Sequence, residues 1–178
     1  MRLISITQCE TEKDRLAALR LMAELGQWDS AETQKLGFNA EDVLDFYYTS
    51  NDDALNGILP PSGVTLLGHV GANVAGCIAY RTLNATACEM KRLFVSPEFR
   101  ASGLGRALIS SLIDHARQAG FACMRLETVV SMHGAMRIYE EMGFVRCPPY
   151  YEIPEIFGPI TIFMEKDLTP SVPSSTTA

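Results

Sequence analysis

The sequence predicts an α/β protein of the α+β kind, built on three consecutive β-rich runs and one strongly amphipathic helix. The runs span residues 64–70, 74–83 and 87–95, and only three residues separate each run from the next. Connections that short join antiparallel neighbours. Over residues 103–119 leucines recur four positions apart, and Gly120 follows as a stop, which predicts a helix packed on the sheet.

The remaining segments continue the alternation of strands and helices, to about seven strands and about four helices in all. Residues 26–38 have no clear period and are predicted to form a loop. The other predicted elements are a strand at 3–7, a helix at 14–25, a helix capped by Asn39, a strand at 121–130, a short helix capped by Ser131, and a closing strand pair at 144–147 and 160–165.

Length and composition indicate an ordinary globular protein. The chain has 178 residues, of which 47% are hydrophobic and 20% charged, and this is the size and balance of a single domain. We expect that domain at residues 1–168. A flexible tail is expected at 169–178, where Pro, Ser, Thr and Ala leave little to bury.

The charge and hydropathy patterns disfavour several classes of partner. A formal net charge of −6 argues against a general nucleic-acid or anionic-membrane surface, which needs clustered Lys and Arg. The first residues lack the apolar stretch of a signal peptide, and no window is long enough to span a bilayer, so a cytoplasmic location is expected. The five cysteines are scattered without metal-ligand spacing, which predicts reduced thiols and no metal site.

The segment 95–108 has the composition of an anion-binding loop that opens a helix. Gly103 and Gly105 remove side chains that would obstruct a ligand, and the free amides at a helix start favour a phosphate. Arg100 and Arg106 add positive charge beside them. By themselves, two such glycines favour the simpler interpretation of a surface turn.

Two known phosphate-binding patterns fit this segment poorly. A Walker loop is excluded because no Gly-Lys-Ser or Gly-Lys-Thr follows. A dinucleotide site fits better at first, since Gly103 and Gly105 stand between a strand and a helix and Glu127 lies at a suitable distance beyond them. Against it, Leu108 stands where Gly or Ala is needed, and antiparallel hairpins precede the motif.

Three motifs carry a more specific signal. They are Glu89-Met90-Lys91-Arg92-Leu93-Phe94-Val95, Arg100-x-x-Gly103-x-Gly105 and Tyr139-Glu140-Glu141-Met142-Gly143-Phe144. In order and spacing they resemble the GCN5-related N-acetyltransferase (GNAT) family over residues 64–144. The Met-Lys-Arg-Leu and Leu-Glu-Thr stretches are similar to those of bacterial members that act on small molecules. The resemblance implies a mixed, mostly antiparallel central sheet with helices on both faces.

The resemblance also implies acetyl-CoA as co-substrate, with no metal. By resemblance, the amides of residues 100–106 hold the pyrophosphate, and the strand backbone around Leu93 pairs with the pantetheine arm and polarises the thioester carbonyl. Met132 stands where many GNAT proteins have Asn, which leaves an apolar contact to the cofactor arm as the alternative. The implied cofactor-binding residues are Leu93, Phe94, Val95, Arg100, Ala101, Ser102, Gly103, Leu104, Gly105 and Arg106.

Two residues are candidates for proton transfer. By resemblance, Tyr139 is the general acid that faces the CoA sulfur, the alternative being a core tyrosine whose hydroxyl bonds elsewhere. Glu89 matches the glutamate that serves as base in some members, yet it is equally well placed to pair with Lys91 or Arg81. Strand alternation predicts one shared face for Glu89, Lys91, Leu93 and Val95.

The acceptor pocket is expected in the least family-like parts of the chain. These are the loop 26–38, the helix that contains Tyr47–Tyr48, and the loop 148–154, all of which carry aromatic residues. Arg81 and Arg146 are candidates to meet a substrate carboxylate.

The resulting hypothesis is an acetyl-CoA-dependent N-acetyltransferase that acts on a small-molecule or amino-acid-like amine. No Ser-His-Asp or Cys-His set is evident, so direct transfer in a ternary complex is predicted. Two alternatives stay open: a peptide or protein N-acetyltransferase, and a non-catalytic CoA-binding regulatory module. Exposed strand edges near the C-terminus leave a homodimer open as well.

Overall fold

The computed structural model describes residues 3–39, 41–42, 55 and 57–169. Its strands and helices, in chain order, are β1 (Ile4–Gln8), α1 (Glu12–Gln34), β2 (Gly63–Val70), β3 (Asn73–Thr82), β4 (Ala87–Val95), α2 (Leu104–Gln118), β5 (Cys123–Val129), α3 (His133–Glu141), β6 (Val145–Arg146) and β7 (Thr161–Asp167). Short 3₁₀ turns cover Pro97–Phe99 and Glu155–Ile160. None of the helices in these ranges is long and apolar enough to cross a membrane.

The seven strands form one mixed sheet in the order β1-β2-β3-β4-β5-β7-β6. Neighbouring strands pair antiparallel except β4 and β5, which run parallel. The meander of β2, β3 and β4 predicted from the short connections is confirmed, and so is the closing pair of β6 and β7. Parallel strands need a long crossover, which α2 supplies.

Helices cover both faces of the sheet. On one face, α2 and α3 bury a core that includes Leu108 and Leu112 of α2 and Ile78 of β3. On the opposite face, Leu21 and Leu25 of α1 pack in a second core over β2, β3 and β4. The split of β4 side chains between these two cores positions the functional site described below.

Two glycines let α2 lie close to the sheet. A Cβ added at Gly68 would lie 2.7 Å from Leu104 Cδ1, and one added at Gly76 would lie 2.6 Å from the carbonyl oxygen of Phe94. Both separations are well below the optimum contact of about 3.5–4.0 Å between carbon atoms. The absence of side chains at these positions therefore allows the first turn of α2 to sit against β2 and β3.

The predicted boundaries of α2 are confirmed to within one residue. Gly103 is the N-cap with φ 89°, and Gly120 follows the helix with φ 87°. Asn39 Oδ1 accepts a hydrogen bond from the Glu41 amide at 3.0 Å, and residues 43–47 of the helix that Asn39 was predicted to cap lie outside the described residues. Tyr47, Tyr48 and residues 170–178 lie outside the described residues.

The loop predicted over 26–38 was wrong for most of its length. Helix α1 continues through Gly26 to Gln34. Gly26 is buried, and Trp28 packs against the core beneath α1. This burial outweighs the cost of about 1 kcal/mol that a glycine adds within a helix.

The capping role predicted for Ser131 was also wrong. The N-cap of α3 is Met132, whose side chain forms no cap hydrogen bond. The Ser131 hydroxyl is instead buried without a hydrogen-bond partner. The five cysteines are unpaired, as predicted from their spacing, and three of them are buried.

Candidate active site

Strands β4 and β5 separate soon after they pair. Their parallel register covers three residue pairs, the last being Glu89 with Arg125, although β4 continues to Val95 and β5 to Val129. We call the gap beyond this last pair the slot. A strand edge that lacks a neighbouring strand offers backbone groups to an extended, amide-containing ligand.

A β-bulge distorts β4 beside the slot. Lys91 pairs with Ala79, whereas Phe94, three residues on, pairs with Cys77, only two residues before Ala79. Arg92 sits in the bulge with φ 61°, a left-handed conformation that costs a residue with a side chain about 1–2 kcal/mol. The Cys77 thiol donates to the Arg92 carbonyl oxygen, with an Sγ–O distance of 3.4 Å. Because C=O and N–H of a trans peptide point in opposite directions, the Leu93 N–H points away from the Cys77 thiol.

The bulge reverses the side-chain alternation of β4. Leu93 and Val95 pack with the core under α2, whereas Glu89 and Lys91 form an ion pair on the opposite face. The prediction that these four residues share one face was therefore wrong, because one inserted residue flips every side chain beyond it.

A row of alternating charges crosses four strands at the closed end of the slot. Its members occupy neighbouring register positions: Arg81 on β3, Glu89 on β4, Arg125 on β5 and Glu165 on β7. Arg81 Nε donates to Glu89 Oε2 at 2.5 Å, and Arg125 Nε donates to Glu165 Oε2 at 3.3 Å. We call these four residues the charged row. Each charge lies beside one of opposite sign, which offsets the cost of burying it.

Glu89 uses both of its carboxylate oxygens within the protein. Its side chain is 0% exposed, and besides Arg81 its Oε2 lies 3.6 Å from Lys91 Nζ. Its Oε1 accepts a hydrogen bond from Tyr150 Oη at 2.8 Å. Burial, together with the negative charge of Glu89, raises the pKa of Tyr150. The ion-pair alternative for Glu89 is thus present in the structure.

Glu127, two residues beyond the last β4–β5 pair, is a largely buried carboxylate whose Oε2 has no hydrogen-bond partner. Burial is the main cause that raises its pKa, from 4.5 to about 7. The charge of Lys91 lowers this pKa, that of Glu89 raises it, and those of Arg81 and Arg92 lower it. A carboxylate that titrates near neutral pH is suited to accept a proton from a substrate.

Tyr139 lies on α3 and is 6% exposed. Its ring packs edge-on against Phe144, with 5.9 Å between the ring centroids. Burial, and after it the negative charge of Asp29 on α1, raises the pKa of Tyr139 above 10. Because Asp29 lies on α1, which covers the opposite face of the sheet, the Tyr139 hydroxyl is within electrostatic reach of that face. With its pKa raised, the hydroxyl keeps its proton at neutral pH.

The loop before α2 has the backbone of an anion-binding nest. Ala101 has φ 60° and Gly103 has φ 89°, with Ser102 between them. Gly103 offers no side chain to cap α2, and the Leu104 amide donates to Ser102 Oγ at 3.3 Å. The later amides of the first turn lack a side-chain cap, which is the arrangement that binds anions at helix starts.

Arg100 in this loop and Arg106 in the first turn of α2 both make contacts within the protein. Arg100 Nε donates to the Val95 carbonyl oxygen at 3.2 Å, and its guanidinium carbon lies 4.7 Å from the centroid of the Trp28 ring. Arg106 forms an ion pair with Glu141. Arg100 therefore ties the loop to β4 and α1, and the charge of Arg106 is partly offset.

An apolar cluster lies at the far end of β5. Met132 is buried there with Val129 and Phe157, and Phe38 stacks on Phe157 with centroids 5.5 Å apart. Within the described residues, the Met132 side chain therefore packs with apolar residues of the protein itself. Phe38, from one of the predicted pocket regions, thus contacts the turn at 155–160, which directly follows the predicted pocket loop 148–154.

Comparison with known proteins identifies the family of this chain. A model of the Acetyltransferase (GNAT) family matches residues 22–144. The chain belongs to the GNAT family. An uncharacterised N-acetyltransferase of Schizosaccharomyces pombe is 33% identical over 117 residues, which are 62% of this chain and 72% of that protein.

Solved GNAT structures share the whole architecture. An acetyltransferase of the GNAT family from Staphylococcus aureus has a TM-score of 0.70 at 16% identity, covering 94% of this chain and 100% of that one. A GNAT acetyltransferase from Elizabethkingia anophelis with acetyl-CoA bound has a TM-score of 0.58 at 18% identity, covering 92% and 97%. At these identities the likeness establishes the fold.

As a GNAT protein, the chain is an N-acetyltransferase that uses acetyl-CoA. Two features of this structure fit that molecule: the unpaired edge of β4 suits an amide-containing arm, and the positive-φ loop suits a pyrophosphate. Within the described ranges, no group of three or more His, Cys, Asp or Glu side chains could hold a metal ion.

The sequence did not predict that Glu127 and Tyr150 lie beside the charged row. Glu127 was considered only as a dinucleotide ligand, and Tyr150 only as an aromatic of the pocket. A signal for Glu127 is present in the sequence, since it is a carboxylate in a strand otherwise dominated by buried Met124, Leu126 and Val129. Its proximity to Lys91 depends on the parallel pairing of β4 with β5, which sequence spacing does not reveal.

Glu127→Gln is expected to stabilise the protein at pH 8. The pKa of Glu127 is 4.5 in the unfolded chain and about 7 in the folded protein. Between these values the folded state holds a proton that the unfolded state has lost, so stability falls as pH rises. At about 1.4 kcal/mol per pKa unit, the ionised side chain costs about 3 kcal/mol above pH 7.

Urea unfolding at pH 4.5 and pH 8 measures this effect. The Gln variant should exceed the native protein in free energy of unfolding at pH 8 by up to that amount, and by much less at pH 4.5. Glu140→Gln, at an exposed position of α3, serves as the control. Equal gains for Glu127→Gln at both pH values would contradict a raised pKa for this carboxyl.

Proposed function

We propose that this GNAT protein transfers the acetyl group of acetyl-CoA directly to the amine of a small-molecule or amino-acid-like acceptor, within a ternary complex. The observation that carries the proposal is the buried carboxylate of Glu127, whose Oε2 has no partner, just beyond the last β4–β5 pair. Direct transfer needs one group that takes a proton from the amine and another that protonates the leaving thiolate.

In this proposal the slot and the loop before α2 hold the co-substrate. We assign the pyrophosphate to the backbone amides of residues 100–106, supported by the positive φ angles of Ala101 and Gly103. We assign the pantetheine arm to the backbone of residues 93–95, supported by the early end of the β4–β5 pairing.

Glu127 is the proposed base. An aliphatic amine arrives as an ammonium ion at neutral pH and must lose a proton before its nitrogen can attack. Since the pKa of Glu127 is about 7, its carboxylate accepts that proton, directly or through one water. Acetyl-CoA supplies the thioester carbon and the leaving thiolate when bound. Tyr139 Oη gives its proton to the leaving sulfur, and the Leu93 N–H donates to the carbonyl oxygen.

The base role predicted for Glu89 remains a prediction beside this one. The Glu89 carboxylate pairs with Arg81 and Lys91 and accepts the hydroxyl of Tyr150. These contacts favour a positioning role, in which Glu89 fixes the cation and the hydroxyl that surround the acceptor side of the slot.

Release of free CoA thiol from acetyl-CoA across a panel of amines, amino acids and peptides tests the proposal. At least one small amine or amino acid should accelerate release, with the intersecting initial-velocity pattern of a ternary complex. A parallel pattern would contradict direct transfer. Acceleration by peptides alone would make the chain a peptide N-acetyltransferase. If acetyl-CoA raises the melting temperature but no acceptor accelerates release, the chain is a CoA-binding module.

The pH dependence of kcat/KM distinguishes the proposed roles of Glu127 and Glu89. Glu127→Gln is expected to lower kcat/KM by about 100-fold or more and to abolish its rise through pH 7, since a general base contributes this much. Glu89→Gln should lower the rate but keep that rise, and Tyr139→Phe should lower kcat and also keep it. A rise through pH 7 that survives in Glu127→Gln would transfer the base role to another group.

The loop assignment is tested at Gly105, where Gly105→Glu should abolish CoA binding and Gly105→Ala should preserve it. A Cβ at this position would lie 3.8 Å from Val95 Cγ2, an ordinary contact, so both variants fit the fold. Alanine in a helix adds about 0.5–1 kcal/mol of stability relative to glycine, and a carboxylate in the first turn interacts favourably with the helix dipole.

A loss of CoA affinity in Gly105→Glu would therefore mean that the new carboxylate lies where the pyrophosphate binds. Isothermal titration with CoA measures the affinity, and the melting temperature of each variant checks folding. Unchanged affinity in the Glu variant would remove the pyrophosphate from this loop.

A further inference from the structure

Two cations share one buried carboxylate on the polar face beside Glu127. Arg81 and Lys91 both lie within ion-pair distance of Glu89 Oε2, and both act on Glu127 as positive charges. An acceptor that carries positive charge alone would meet these two cations beside Glu127.

Arg81 is the cation best suited to bind a second anion. Its Nε donates to Glu89 Oε2, and its side chain is 42% exposed although its partner is fully buried. A guanidinium has five N–H donors in a rigid fork, of which this bond uses one. Arginine matches a carboxylate with two parallel hydrogen bonds, so Arg81 can hold Glu89 and a ligand carboxylate at once.

Lys91 strengthens the same surface. Its Nζ lies 3.6 Å from the Glu89 oxygen that Arg81 also contacts, and its side chain is 20% exposed. The register places Arg81 beside Glu89 on the neighbouring strand, and Lys91 follows Glu89 by two positions on the same face. Two cations therefore flank one buried carboxylate at the closed end of the slot, with Glu127 nearby on β5.

We propose that the acceptor of this GNAT protein is an amino acid with a free carboxylate, bound with its carboxylate against Arg81 and Lys91 and its amino group beside Glu127. This inference rests on the proposed function. Glu127 first takes one proton from the ammonium group, and the N–C bond then forms as the thioester C–S bond breaks. Tyr139 gives its proton to the leaving sulfur and regains one from the second N–H that the nitrogen loses on becoming an amide. The products are the N-acetyl amino acid and CoA.

A free carboxylate distinguishes the proposed amino-acid acceptor from polyamines and from the N-termini of peptides. A polyamine brings further positive charge beside the two cations Arg81 and Lys91. The N-terminus of a peptide has an amide carbonyl in place of the carboxylate and gives the remaining donors of Arg81 no second anion. An unpaired donor that must be desolvated weakens binding substantially.

Matched acceptors test the proposal. For several side chains, kcat/KM is measured by thiol release for the free amino acid, for its primary amide and for the decarboxylated amine. The kcat/KM of the free amino acid should exceed those of the amide and of the decarboxylated amine by about 10-fold or more. A good charge-assisted pair is worth at least about 1.4 kcal/mol, which corresponds to that factor. Acetyl transfer to the amides and amines at equal or higher kcat/KM overturns the proposal while the proposed function stands.

Variants of Arg81 and Lys91 test which residues cause the preference for the free amino acid over its amide. In Arg81→Gln the ratio of acid to amide should fall toward one, because kcat/KM for the acid drops while that for the amide is kept. Lys91→Gln should lower the same ratio. Arg15→Gln, which removes a cation from an exposed ion pair on α1, should leave the ratio unchanged.

The ratio is insensitive to partial unfolding because both acceptors are measured on one enzyme preparation. If Arg81→Gln lowers kcat/KM for acid and amide equally, Arg81 acts only through Glu89 and the assignment is overturned. A preference for amides and short peptides would make the acceptor a peptide N-terminus. If no acceptor of any kind accelerates thiol release, the proposed function itself has failed, and that outcome is distinct from a loss of selectivity.

Discussion

The early end of the pairing between β4 and β5 is the constraint on which the site depends. Two parallel strands in the middle of a sheet normally stay together, but here the pairs stop at Glu89 and Arg125. Beyond that point the bulge at Arg92 redirects β4, at a backbone cost of about 1–2 kcal/mol. The cores on the two faces hold β4 in this path, since Leu93 packs under α2 and Phe94 packs under α1. The separation is therefore built into the packing.

The charged row explains how the protein tolerates buried charge beside this gap. An isolated buried carboxylate costs several kcal/mol, but Glu89 has two cations and a hydroxyl around it. Glu127 lies outside this row, and burial raises its pKa. The raised pKa that suits Glu127 to the proposed role of base is also what weakens the fold above pH 7. In that proposal, stability and proton transfer make opposite demands on a single residue.

The sequence predicted the parts of the fold whose signals are local. The bounds of α2 follow from leucine spacing and the flanking Gly103 and Gly120, and the meander follows from connections too short for any other arrangement. Helix α1 could not be bounded in this way, because burial of its second half overrides Gly26. The bulge was equally hidden, since Arg92 is not a residue type that marks a positive φ. Contacts such as Arg100 with Trp28, or Tyr150 with Glu89, join segments that only the fold brings together.

Tyr150 connects the loop 148–154 to this same register. Its hydroxyl donates to Glu89, its ring lies 5.3 Å from the Arg125 guanidinium carbon, and it packs edge-on against Phe163 with centroids 5.0 Å apart. The loop that was expected to line the acceptor pocket is therefore fixed to the charged row. A slip of β4 by one residue would turn Glu89 and Lys91 together toward the core under α2 and release Tyr150 and Arg81. The placement of the Tyr150 loop, the pairing of Arg81 with Glu89 and the position of Glu127 outside the charged row are consequences of one strand register.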